Sequence, residues 1–166
     1  NALVAAAVGL RLGLASDAVA AGLAGARWPG RLETLHTAEG EYLLDAAHNP
    51  DGVAALLDHV GPGSERPEAL VFGALADKAW AAMLDALAPR FPTRVYASPR
   101  GRAPADPAQL AARHDGTPCP SVATALAEAR RRVGQGGRVV VCGSIYLVGE
   151  ARAQLLGLPE DPPVAL

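Results

Sequence analysis

Asp45 and His48 stand in "LLDAAHNPDG" (43–52), where an apolar, strand-like run stops and a helix is about to start. A carboxylate there can accept from ribose hydroxyls or reach a metal-held phosphate, and a histidine can face a carboxylate or a phosphoryl group. The same residues also read as turn chemistry, with Asp45 capping the turn and His48 filling it. A second stretch, "WPGRLE" (28–33), uses Pro29 and Gly30 to fix a turn ahead of Arg31. A guanidinium fork suits phosphate oxygens, although a Trp-packed turn with a solvated Arg31 has the same pattern. A third, "GSIYLVGEAR" (143–152), puts Gly143 and Ser144 at a strand-to-helix turn. Free backbone N–H groups there make an anion seat or simply a helix cap. Ser144 lacks a GxSxG surround and is a poor nucleophile. Lys78 and the pair Arg100 and Arg102 bring charge to two more loops, the arginines being able to read a carboxylate.

The elements that must carry these residues follow from periodicity. Residues 1–13 and 16–25 read as Ala-rich helices, the second with Ser16 as N-cap. Residues 32–47 read as a hairpin around "AEG". Helices are expected over 49–60, 77–90 (N-cap Asp77), 107–114, 121–134 (N-cap Ser121) and 144–157, and strands over 68–76, 93–99 and 137–144. The apolar runs lack polar alternation, as strands covered on both faces do. Strands alternating with helices give an α/β fold, a Rossmann-like, mostly parallel doubly wound sheet. In such sheets ligands gather at the carboxyl ends of strands. The loops at Asp45–His48, Ala76–Lys78, Ser98–Arg102 and Gly143–Ser144 are therefore expected on one rim.

Composition narrows the classes. The 166 residues are 50% hydrophobic and carry 15 Lys+Arg against 17 Asp+Glu, a formal charge of −2. That argues against nucleic acid held on a broad basic face. No apolar run reaches the ~18 residues of a membrane span. "NALVAAAVGLRLGL" lacks the basic start of a signal peptide and an initiator Met, so the chain reads as processed or cut from something longer. Cys119 and Cys142 form no CxxC and are expected as buried, reduced thiols, with the cytoplasm as the default compartment. His36, His59 and His114 have no partner at metal-ligand spacing, and no metal site is expected. Arg130–Arg132 close a helix C-terminus. No GxxxxGK[ST] loop occurs, and "GQGGRVVV" (134–141) precedes a strand instead of following one, so neither phosphate-cradle fingerprint is met.

"WPGRLE", "LLDAAHNPDG", "FGALADK" and "GSIYLVGEAR", in this order and spacing, resemble the C-terminal, glutamate-ligase domain of bacterial folylpolyglutamate synthase, an enzyme that often doubles as dihydrofolate synthase, in the Mur ligase superfamily. The match covers nearly the whole chain. The resemblance implies part of an ATP-dependent carboxylate–amine ligase that turns a substrate carboxylate into an acyl phosphate, which the glutamate amine then attacks. It implies ATP and Mg²⁺, both held mainly by an N-terminal ATPase domain. L-glutamate and a folate (dihydropteroate or tetrahydrofolate) are implied as the other partners.

By position, the resemblance sets Arg31 at the ATP phosphates, Asp45 at the nucleotide and Asn1 at the adenine. His48 falls beside the glutamate or acyl-phosphate centre. Ser144 and Arg102 become glutamate-side contacts, and Lys78 is a weaker carry-over. Asp45 and His48 are thus the expected catalytic pair. Residues 1–26 become a helical linker from the ATPase domain, 27–158 the Rossmann-like ligase domain and 159–166 a loose tail. A monomer, inactive alone, is expected. A Mur-type peptidoglycan ligase domain predicts no "WPGRLE". A stand-alone binding module that kept the fold without catalysis fits the missing P-loop equally well.

Overall fold

In the computed structural model of the chain, residues 2–100 and 103–159 are described. Two helices come first, α1 (Ala2–Arg11) and α2 (Ser16–Gly25). They pair with each other, Gly9 lying against Val19 where a Cβ would come within 3.0 Å. Otherwise they leave apolar side chains in solvent, Leu3, Val8 and Leu12 among them. A hairpin of β1 (Glu33–Thr37) and β2 (Gly40–Leu44) follows, then α3 (Pro50–Val60), β3 (Glu68–Phe72), α4 (Trp80–Leu87) and β4 (Thr93–Ala97). The chain continues through α5 (Pro107–Arg113), β5 (Thr117–Cys119), α6 (Val122–Val133), β6 (Arg138–Cys142) and α7 (Ile145–Leu156).

The six strands form one sheet in the order β1-β2-β6-β3-β4-β5. Only β1 runs antiparallel, to β2; the other pairings are parallel. This is the α/β, mostly parallel, doubly wound sheet that the alternation of elements predicts. Alternate residues of each inner strand enter opposite cores. Val139 and Val141 of β6 join Val71, Ala97 and the inner faces of α6 and α7. Val140 and Cys142 join Leu70, Phe72, Tyr96 and the inner faces of α3, α4 and α5. Two-sided burial explains why these strands read as unbroken apolar runs.

The helix ends follow local chemistry. Asn49 accepts from Gly52 N–H at 2.7 Å ahead of Pro50 at the helix start, and Gly61 (φ 70°) stops α3. Ser121 and Thr124 form a capping box on α6, and Gly157 ends α7 in the left-handed region. Two expected caps differ. Ala15, not Ser16, holds the N-cap of α2, and Ala79, not Asp77, that of α4. Tight turns at Lys78 and Trp80, whose N–H groups donate to Leu75 and Lys78 carbonyls, delay α4 past Asp77. Strand β3 stops at Phe72, short of residue 76, and β5 was not expected at all.

At the amino ends of the strands the charges are paired. The Glu68 carboxylate takes Arg90 at 2.5 Å and Arg138 Nε at 2.7 Å, almost out of solvent. Glu41 takes Arg66 in a two-bond fork, whose hydrogen bonds hold its carboxyl below the usual range. Arg130 stacks on Tyr42 and donates to the carbonyls of Glu41, Gly134 and Gly137, so it is a buried tie between helix and strand instead of a solvated end charge. His114 lies 2.8 Å from Asp85. Removing one partner of a buried ion cluster leaves the others without compensation. Glu68→Ala is therefore expected to destabilise the fold by about 3–5 kcal/mol, read as the loss of equilibrium stability in urea.

Candidate functional site

The site is built where the sheet changes direction. After β2 and β3 the chain crosses to one face, into α3 and α4; after β6, which lies between them, it crosses to the other, into α7. The connections that leave the carboxyl ends of these strands therefore diverge around a crevice, the position where doubly wound sheets take ligands. Main-chain bonds lace the rim. Gly143 N–H donates to Ala47 O (2.9 Å), Asp45 N–H to Val141 O (3.0 Å) and Ala46 N–H to Gly30 O (2.7 Å). Farther along, Ala76 N–H donates to Ala103 O and Ala105 N–H to Ala74 O. The loops expected on one rim do follow parallel strands, the one after β4 being described as far as Arg100.

Glycine is needed at two points of closest approach. A Cβ on Gly73 would sit 2.3 Å from Ala97 O. Gly143 has φ 115°, and a Cβ there would sit 2.7 Å from Gly73 O and from the Phe72 ring.

Asp45 is buried, and both its oxygens are engaged: Oδ2 accepts Leu32 N–H and Oδ1 accepts Ala47 N–H, each at 2.9 Å. A carboxylate has about four acceptor sites, so capacity remains for a ligand hydroxyl. His48 is exposed and its Nδ1 lies 2.9 Å from Ala46 O. A carbonyl can only accept, so Nδ1 carries the proton and Nε2 is the ring nitrogen left to a ligand. Ser144 is buried and caps α7, its Oγ accepting from Tyr146 N–H at 3.2 Å. His48, Lys78, Gly143, Ser144 and Tyr146 line one cleft of about 270 Å³, with Leu75 and Ile145 as its apolar walls. Lys78 stands 3.6 Å from Asp77.

Arg31 arrives from the hairpin side. Because β1 is antiparallel to β2, Glu33 pairs with Leu44, and the residues before β1 lie at the carboxyl end of β2. Trp28–Arg31 form a turn closed by Arg31 N–H on Trp28 O (3.2 Å), with Pro29 second and Gly30 (φ 70°) third. Leu32 has φ 46°, and among the described residues no other non-glycine has a positive φ. The Arg31 side chain is exposed and makes no hydrogen bond or ion pair with a described residue.

Arg31 and Asp45 are thus joined through Leu32, and His48, Ser144 and Lys78 share the adjoining cleft. Asn1 and Arg102 lie outside the described residues. Among the described residues no three His, Cys, Asp or Glu side chains gather as a metal-holding group. Two contributors carried no role on sequence alone: Glu33, whose Oε2 accepts Gly30 N–H at 2.7 Å, and Arg152, whose Nε donates to Glu33 at 2.9 and 3.1 Å. Both lie inside quoted motifs, "WPGRLE" and "GSIYLVGEAR", which was the available signal. Beneath the site, burial and then the Asp45 charge push the Cys142 thiol far up, and burial also raises Cys119; both thiols are free.

A profile for the Mur ligase glutamate ligase domain matches residues 30–145, and the chain belongs to that family. Within it the chain is homologous to folylpolyglutamate synthase/dihydrofolate synthase. It is 37% identical over 141 residues to folylpolyglutamate synthase of Lacticaseibacillus casei, covering 82% of this chain and 32% of that protein. The Escherichia coli FolC structure in complex with DHPP and ADP superposes with a TM-score of 0.79 at 27% identity, over 90% of this chain and 37% of that one. A bifunctional folylpolyglutamate synthase/dihydrofolate synthase with Mn, AMPPNP and L-glutamate bound gives 0.77 at 30% identity, over 86% and 35%. The chain spans about a third of the length of these relatives.

A Cβ at residue 143 would demand a strained backbone and displace Gly73 or Phe72. Gly143→Ala is expected to cost about 1–3 kcal/mol in urea unfolding. The raised thiol of Cys142 is protonated at pH 8 and out of reach. Ellman's reagent is expected to leave Cys142 unmodified in the folded chain and to titrate it on unfolding.

Proposed function

We propose that the chain is the glutamate-side domain of an ATP-dependent ligase that adds L-glutamate to a folate through an acyl phosphate. The observation that carries this reading is the convergence of Arg31, Asp45, His48 and Ser144, from three separate motifs, on one rim of a fold shared with glutamate-bound and nucleotide-bound relatives. The exposed guanidinium of Arg31 neutralises nucleotide phosphate oxygens. Asp45, with two oxygens fixed by backbone N–H groups, accepts from the nucleotide's hydroxyls. His48 faces the glutamate and the acyl phosphate, where Nε2 takes a proton from the glutamate ammonium to free the attacking amine or, once protonated, donates to a carboxylate. As the new C–N bond forms, the bond from the acyl carbon to the phosphate oxygen breaks and phosphate leaves. Ser144 contacts the glutamate at the start of α7, with Arg102 as a further glutamate-side contact and Asn1 at the adenine.

Mg²⁺ supplies charge neutralisation for the phosphates and is held, with most of the ATP, by an ATPase domain elsewhere in the longer polypeptide or in a partner. Residues 1–26 are the helical link to that domain, 27–158 the ligase domain and 159–166 its tail. The exposed apolar side chains of α1 and α2, of Trp28 and, at the cleft, of Ile145 suit surfaces that close on another domain. The ligase is cytoplasmic and works as a monomer.

Glutamate- and folate-dependent phosphate release tests the reading. The chain alone is expected to be silent and to bind ATP no more tightly than about 1 mM (~−4 kcal/mol). Added to an ATPase-domain fragment, or in the full-length polypeptide, it is expected to give activity. There, Arg31→Ala is expected to raise the ATP KM by about 10- to 100-fold, the worth of one charged hydrogen-bonded contact. His48→Ala is expected to lower kcat by about 10²–10⁴-fold. An unchanged ATP KM in Arg31→Ala together with an unchanged kcat in His48→Ala sinks the assignment.

A further inference from the structure

Arg31 is bracketed by two residues in the left-handed region, Gly30 at φ 70° and Leu32 at φ 46°. Such a backbone does not hold itself, least of all at a leucine. Each of the two is pinned by a carboxylate on its N–H: Gly30 by Glu33 at 2.7 Å and Leu32 by Asp45 at 2.9 Å. Asp45 is itself fixed by burial and by its second bond, to Ala47 N–H. Glu33 has no such enclosure. Its carboxylate is held by Arg152 of α7, whose Nε reaches both oxygens at 2.9 and 3.1 Å from 119 residues along the chain. The turn is also seated on the same helix, since a Cβ on Gly30 would meet Val148 at 2.8 Å.

We propose that Glu33 and Arg152 are positioning residues for the anion-binding Arg31. Arg152 does two things at once. It locks the carboxylate that fixes one side of the Arg31 turn, and it neutralises an acid two residues from Arg31 that would otherwise draw the guanidinium away from a phosphate. Neither residue touches the substrate. The neighbouring Glu150 accepts Arg100 N–H of the loop after β4 at 3.0 Å, so α7 braces two loops of the same rim. This inference rests on the nucleotide-phosphate role proposed for Arg31 and adds what keeps that arginine available.

The test is steady-state kinetics of the full-length ligase with ATP varied, then with glutamate varied. Arg152→Ala is expected to raise the ATP KM about fivefold or more while the glutamate KM stays within about twofold, with partial recovery in Arg152→Lys. In an Arg31→Ala background, Arg152→Ala is expected to add less than about twofold, because its effect passes through Arg31. A purely structural role gives independent, multiplying effects and moves both KM values. If Arg152→Ala fails to fold, Glu33→Gln, which keeps an oxygen for Gly30 N–H but loses the charge, must show the same dependence on Arg31. Multiplying effects, or an unaltered ATP KM in both Arg152→Ala and Glu33→Gln, overturn the proposal while leaving the site reading intact. An unaltered ATP KM in Arg31→Ala overturns both.

Discussion

The insertion of β6 between β2 and β3 is the constraint on which the rest depends. A central parallel strand must satisfy hydrogen bonds on both edges and bury side chains on both faces, and β6 does so with Val139 to Cys142. Its neighbours send their helices to one face and it sends α7 to the other. The connections therefore diverge to opposite faces, and the loops that leave the closely packed strand ends face a common crevice. The close approach of Gly73 and Gly143 is the steric signature of this crowding, and the cleft beside Ser144 lies next to it. The ion pairs at the opposite edge, centred on Glu68, close the same strands at their starts.

Within the site, buried and exposed groups divide the work. Asp45 gives two acceptor sites to backbone N–H groups of its own chain, which makes it part of the scaffold. Arg31 and His48 are the reverse: Arg31 N–H is tied to Trp28 O and the His48 ring to Ala46 O, while both side chains reach solvent. Such a division keeps the ordering cost in the folded chain instead of charging it to ligand binding.

Much of this was legible in sequence. The alternation of apolar runs with amphipathic helices gave the doubly wound sheet, and Asn49-Pro50 and the Ser121 cap placed two helix starts. Strand β5 was hidden because Thr117-Pro118-Cys119 is three residues long and contains a proline, which is tolerated at a sheet edge and reads as a breaker. Strand β3 was overextended because Ala74 and Leu75 are buried as loop residues, and apolarity alone does not separate a strand from a buried loop. In the site, Arg31, Asp45, His48 and Ser144 stood out by type and setting. The positive φ of Leu32 left no trace, since leucine is not a turn residue. The Glu33–Arg152 pairing was equally invisible, because nothing in a linear chain joins residues 119 positions apart.

The lacing of the rim has one more consequence. The bonds from Ala46 to Gly30, from Gly143 to Ala47 and from Ala105 to Ala74 run from main chain to main chain. Once Gly30 and Gly143 and the carboxylate that pins Gly30 are kept, their geometry does not depend on which other side chains the loops display. A descendant of this domain can therefore exchange the other residues that face the crevice while the crevice keeps its shape. The frame is inherited through peptide groups, and selection is free to redraft the recognition surface one residue at a time.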